Sequence, residues 1–103
     1  MERVSFVMQI NPGCEEEYKE RHKRVFPELL EAFKKVGIQN YSIFMDGTRL
    51  FAYLEAENYQ QARKRLAEEP SYQKWQLFMK PLMVGLDEKG STSRFISEVF
   101  HLE

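Results

Sequence analysis

One cysteine, Cys14, stands in the whole chain, so no intrachain disulfide can form and no multi-thiolate metal cluster can assemble within one copy. Charge of one sign is also missing: 15 Lys and Arg offset 16 Asp and Glu, and the two kinds are interspersed. Without a net field there is no means of collecting nucleic acid or an anionic membrane from solution, so neither partner is expected. No apolar run approaches the length of a membrane span, and Met1-Glu2-Arg3 leads into Val4–Gln9 without the apolar centre of a signal peptide. A cytoplasmic location is the expectation. Repeats, low-complexity tracts and a glycine-rich phosphate-binding turn are absent as well.

What is present is apolar side chain for one core. Hydrophobic residues make up 43% of 103 positions and aromatics 14%, which suits one folded domain over residues 1–103 and leaves too little chain for a second core.

Val4, Phe6, Met8 and Ile10 alternate with Arg3, Ser5, Val7 and Gln9, the period of a half-buried strand. Asn11-Pro12-Gly13 ends it. From Cys14 to Val36 the period becomes helical, carried by Tyr18, His22, Val25, Phe26, Leu29 and Phe33, with Gly37 as C-terminal cap. Pro27 lies inside that stretch, and a kink or a break into two helices is expected near Phe26. Tyr41, Ile43 and Met45, then Asp46-Gly47, then Leu50–Glu55 predict two strands joined by a tight hairpin. Tyr59–Ala67 and Ser71–Met79 predict two short helices divided at Pro70, with Trp75 and Met79 on one face. Polar residues from Leu86 to Arg94 suggest an exposed connection, and Phe95–Leu102 a last strand.

The order strand, helix, strand, strand, helix, strand is the ferredoxin-like arrangement of the α+β class: an antiparallel sheet with helices packed on one face. The other sheet face is left bare. A second subunit or a ligand would cover it, and a homodimer is expected.

Chemistry is most economically placed on Tyr18 and His22, four residues apart on one helical face. An imidazole transfers protons near neutral pH, and a phenol beside it orients a hydroxylated ligand. The spacing is equally served by a histidine at the core edge bonded to backbone. Tyr41, Phe51, Tyr53, Trp75 and Phe78 offer flat surfaces to the C–H faces of a sugar, or simply fill a core. Cys14 has no companion for redox or nucleophilic work, and His101 with His22 and the acidic residues matches no metal-ligand motif. Glu15-Glu16-Glu17 suits the positive end of a helix, with Lys19 and Arg21 as pairing partners. Lys34-Lys35 and Arg63-Lys64-Arg65 suit a solvated surface.

Phe6-Val7-Met8-Gln9, Asn11-Pro12, Glu16-Glu17-Tyr18 and Arg21-His22 resemble the opening of the L-rhamnose mutarotase family. Pro27-Glu28-Leu29, Asn40-Tyr41, Leu50-Phe51-Ala52, Gln73-Lys74-Trp75 and Glu98-Val99-Phe100 continue the resemblance over nearly the entire chain. It implies a homodimer of the dimeric α/β-barrel type that interconverts the α and β pyranose anomers of L-rhamnose without metal or organic cofactor. It implies further that His22 is the proton donor and that Tyr18, Tyr41 and Trp75 contact the sugar. The chain departs from the family's pattern in a shorter hairpin at Asp46-Gly47-Thr48, and in Gln76, which stands where a second tryptophan is common. Gln76 is also expected to bind substrate, through directional hydrogen bonds in place of stacking, which could retune recognition toward another deoxy sugar or a more polar aldose. The expected mechanism has protonated His22 acting at the ring or anomeric oxygen, with Tyr18 or water completing the relay. The competing expectations for such a fold are a cofactor-free monooxygenase, a haem-degrading enzyme and a noncatalytic ligand-binding dimer.

Overall fold

A computed structural model describes all 103 residues. The chain runs β1 (Glu2–Gln9), α1 (Glu15–His22), α2 (Pro27–Lys35), β2 (Ile38–Asp46), β3 (Arg49–Ala56), α3 (Tyr59–Ala67), α4 (Pro70–Met79), a 3₁₀ turn (Lys80–Leu82) and β4 (Arg94–Ile96). The four strands form one sheet in the order β2-β3-β1-β4, antiparallel throughout. This is the ferredoxin-like topology expected from the element order, with each helical segment split in two.

Both splits fall at proline. Phe26 adopts φ −55° and ψ 129°, the extended backbone that a following proline ring imposes, and Pro27 then opens α2 at a position where its missing N–H costs nothing. Pro70 opens α4 in the same way after Glu69 at ψ 124°. α3 starts at Asn58, whose side-chain oxygen accepts from the Gln61 N–H at 3.1 Å. Gly37, at φ +90°, carries the chain out of α2 in the left-handed region.

The alternation in β1 and β3 places Val4, Phe6, Met8, Ile10, Leu50, Ala52, Leu54 and Ala56 beneath the helices. Two buried clusters result. One holds Phe6, Ala32, Val36, Ile38, Ala52, Leu54, Ala56, Ala62 and Leu66. The other holds Ile10, Tyr18, Leu29, Leu50, Trp75, Met79 and Leu82. Met8, Phe33, Ile43 and Tyr72 pack against both and mark the seam. The opposite sheet face carries Ser5, Val7, Phe51 and Tyr53, half-buried, and Phe44, 64% exposed.

The last strand is shorter than the expected Phe95–Leu102. Ser5, Phe6 and Val7 pair with Ile96, Phe95 and Arg94, and the same register sets Glu98 opposite Arg3. Their side chains meet there, with the guanidinium donating to both carboxylate oxygens at 2.7 and 2.8 Å. Pairing nevertheless stops at Ile96, and past Glu98 no hydrogen bond holds the segment, although Glu2 of β1 would stand opposite Val99. Val99, Phe100 and Leu102 are accordingly 94, 78 and 81% exposed.

Candidate active site

A cavity of about 640 Å³ opens between the helices and the sheet along the seam of the two clusters, within the size range of ligand clefts, roughly 300–1,000 Å³. Tyr18, His22, Tyr41, Trp75 and Gln76, the five side chains singled out by sequence, all line it. Of the other aromatics considered, Phe51 and Tyr53 lie on the opposite sheet face, while Phe78 backs the wall by packing on Trp75 and Phe26 with ring centroids 5.7 Å away in each case.

α1 supplies Tyr18 and His22 because residues four apart stand one above the other on a helix. Their rings stack at 4.2 Å with 27° between planes, and Trp75 of α4 meets His22 edge-on at 5.2 Å and 89°. α1 itself is short and polar. Glu17 pairs with Arg21 at 2.8 Å, and Arg21 also donates to the Phe78 carbonyl while its guanidinium lies 4.3 Å from the Phe78 ring centroid. One arginine thereby ties the helix bearing His22 to the end of the helix bearing Trp75.

Tyr41 reaches the cavity through a local irregularity. Ile38 and Tyr41 are three residues apart yet both pack under the helices, which strict strand alternation forbids. The register shift between Gln39 and Ser42 resolves the conflict, with Asn40 at φ +52°. Asparagine tolerates this left-handed backbone, and such bulges re-aim side chains. The Asn40 amide also donates to Glu55 at 2.7 Å, and the Tyr53 hydroxyl to the other oxygen of that carboxylate at 2.6 Å.

The electrostatics differ from the expectation of a protonated imidazole. A carbonyl can only accept, so the 3.0 Å contact between His22 Nδ1 and the Tyr18 carbonyl places a proton on Nδ1. Burial disfavours the charged ring and holds its pKa below the ordinary 6.5, against a smaller opposing effect of that hydrogen bond. At neutral pH the ring is therefore neutral, with Nε2 unprotonated. The Tyr18 hydroxyl is pushed up to about 12 by burial. Tyr41 is raised too, first by burial and then by the neighbouring phenols Tyr18, Tyr72 and Tyr59. Both phenols hold their protons across the physiological range. The site thus pairs a proton acceptor with proton-bearing hydroxyls.

The structure adds lining residues that the sequence did not single out: Tyr59, Arg63, Tyr72, Met83, Thr92, Ser93 and Phe95 among them. Tyr72 was legible, standing one turn before Gln76. Thr92 and Ser93 were not, since the segment before β4 reads simply as an exposed connection. In fact Asp87 folds it into a tight turn, accepting from the N–H groups of Lys89 and Ser91 at 2.9 and 3.1 Å, and the returning limb borders the cavity. Cys14 packs half-buried against the second cluster, and His101 lies exposed in the C-terminal segment. No helix is long and apolar enough to cross a membrane.

The class is that of a ferredoxin-like α+β domain whose helix-covered side holds an aromatic cavity, with an imidazole set among phenols. Comparison with known proteins identifies which one. The sequence model of L-rhamnose mutarotase matches residues 3–102, and the chain belongs to the L-rhamnose mutarotase family. It is 42% identical to the L-rhamnose mutarotase of Mannheimia succiniciproducens, covering all of both chains, and 41% identical to that of Listeria monocytogenes serotype 4b over 99% of each. Among solved structures, L-rhamnose mutarotase from Formosa agariphila superimposes with a TM-score of 0.83 at 35% identity over the full length of both chains. An uncharacterized NIPSNAP domain protein from Burkholderia xenovorans reaches 0.62 at 16% identity over 98% of each, a likeness of fold alone.

Proposed function

We propose that this protein is an L-rhamnose mutarotase, an isomerase that interconverts the α and β pyranose anomers in the cavity lined by Tyr18, His22, Tyr41, Trp75 and Gln76. The observation that carries the reading is the convergence of these five side chains, from α1, β2 and α4, on one cavity in a chain that matches the family from end to end.

Anomer exchange requires that the anomeric hydroxyl lose its proton as the ring oxygen gains one. The C1–O5 bond then breaks, C1 becomes an aldehyde and rotates about C1–C2, and the ring recloses on the other face by the reverse transfers. Nothing is oxidised or reduced. His22 Nε2 takes the anomeric proton, and the imidazolium so formed is steadied by the Tyr18 carbonyl at Nδ1. The Tyr18 hydroxyl, or a water it orients, supplies the proton to the ring oxygen. On reclosure the two groups return what they exchanged, so His22 is the proton donor of the second half. Trp75 and Tyr41 hold the sugar ring by stacking and hydrogen bonding, and Gln76, exposed at the rim, bonds a hydroxyl where a second tryptophan would stack.

NMR saturation transfer between the two anomeric protons of L-rhamnose tests this directly. The wild-type protein accelerates exchange, and His22→Ala, with unchanged melting, loses more than about tenfold of that acceleration. A folded wild type without effect on L-rhamnose defeats the reading.

The working form is a cytoplasmic homodimer that closes the bare sheet face. Val7, Phe51, Tyr53 and the strongly exposed Phe44 form an apolar patch there, and Val99, Phe100 and Leu102 of the C-terminal segment are exposed as well. Light scattering behind a sizing column reads twice the monomer mass, and Phe44→Glu shifts it toward one.

A further inference from the structure

Four phenols line the cavity, one each from α1, β2, α3 and α4: Tyr18, Tyr41, Tyr59 and Tyr72. No side-chain polar atom is sealed away without a partner. The hydroxyls of Tyr18 and Tyr41, which burial alone or together with neighbouring phenols perturbs, find no protein partner and therefore face the cavity space. The reaction needs groups at the hemiacetal, and the His22 and Tyr18 end supplies them. Tyr72 has no place in that chemistry. It stands at the seam of both buried clusters, one helical turn before Gln76 on the same face of α4, as Tyr18 stands one turn before His22 on α1. Tyr72, Gln76, Met83 and Thr92 also line a second, outer groove of about 440 Å³ to which α1 contributes nothing. The α4 pair therefore stands where the cavity meets this outer groove, on the side that α1 does not line.

We propose that Tyr72 is a specificity-determining residue: its hydroxyl, with the Gln76 amide one turn on, receives the sugar hydroxyl farthest from the anomeric carbon, that on C4. This rests on the mutarotase reading above and names the part of the site that distinguishes one pyranose from another. A phenol both donates and accepts, as does a primary amide. Two such groups side by side satisfy a single hydroxyl in both roles, and an analogue lacking that hydroxyl leaves them unpaired. Pinning C4 leaves C1 free to swing as the ring opens, which a grip nearer the anomeric centre would hinder.

The test compares L-rhamnose with its 4-deoxy analogue by the same saturation transfer, in wild type, His22→Ala and Tyr72→Phe. Wild type turns over L-rhamnose with a kcat/KM about tenfold above that for the analogue. Tyr72→Phe loses that preference, through a higher KM for L-rhamnose, while kcat and the acid limb of the pH profile stay with wild type. A purely structural tyrosine would lower both sugars alike, and that result overturns the proposal. An active wild type, a silent His22→Ala and an unaltered sugar preference in Tyr72→Phe overturn it too, with the mutarotase reading intact. No acceleration by wild type removes that reading and this inference with it. Should Tyr72→Phe melt early, Gln76→Leu at the rim reads the same contact from its partner, and undiminished preference there counts against the proposal.

Discussion

The two buried clusters share α2 as cover and are built differently, the first closed by α3 and the second by α1 and α4. The one around Ala52, Leu54, Ala56 and Ala62 is purely aliphatic apart from Phe6, and small side chains let α3 sit close on β3. The one around Leu50, Trp75 and Met79 includes Tyr18 and borders the cavity. None of the nine buried members of the first carries a polar side-chain atom, and only Phe6 and Leu66 reach the cavity, against Tyr18, Leu29, Leu50, Trp75 and Met79 of the second. The second carries a phenol and an indole, whose polar ends need a partner or an opening. Large aromatics on short helices also cannot interdigitate as alanines do, and the space between them is the cavity. In this protein, fold and function draw on neighbouring parts of one core.

Leu54→Ala probes the sharpest form of that division. Leu54 is 2% exposed at the centre of the aliphatic cluster, and its truncation should cost about 2–5 kcal/mol of stability, read by urea or thermal melting. Anomer exchange per folded molecule should be unchanged. A comparable loss of exchange would mean that the clusters are not separable. Next in size is Tyr18→Phe, which keeps the stack on His22 and removes only the hydroxyl. Exchange should fall about tenfold with the melting temperature held, as loss of one proton-bearing group requires.

pH sharpens the contrast further, since His22 is the perturbed histidine of the cavity side. Burial lowers its native pKa, so as pH falls the unfolded chain takes up a proton before the native one. The stability that neutral His22 contributes is full above the ordinary 6.5 and is lost as pH drops from there toward the native value. The acid limb of kcat/KM should also fall below 6.5, because the free enzyme must keep Nε2 unprotonated. A limb above 6.5 would contradict the burial argument. Pro27→Ala should have the smallest effect, under about 1 kcal/mol, as the ring chiefly restricts the unfolded chain and pre-sets the first residue of α2. A large loss of exchange in that variant would show that the proline break itself positions α1.

Most of the fold was legible in the sequence. Alternation marked β1, β2 and β3, the helical period marked the helices, and Pro27 and Pro70 marked the breaks, because these signals act within a few residues of backbone. The length of β4 was not legible. Ser97–Leu102 has the composition of a strand, but its ladder with β1 ends at Ile96 and the Arg3–Glu98 ion pair is the last hydrogen-bonded tie of the segment. In the site, Tyr18 and His22 were legible from their spacing, and Tyr41, Trp75 and Gln76 through the family resemblance. Tyr59, Thr92 and Ser93 were not, since they reach the cavity from α3 and from a loop shaped by Asp87.

The sequence by itself determined which faces are apolar, where helices begin and which family the chain resembles, since each depends on local geometry or on residues read in order. Only the tertiary structure decided that α1, β2, α3, α4 and the β4 approach enclose one space, because that depends on which distant elements abut. It alone decided the protonation of His22 as well. An imidazole's charge is set by how much water and which carbonyl surround it, and here both are fixed by packing, with α4 closing over the ring and the Tyr18 carbonyl holding Nδ1.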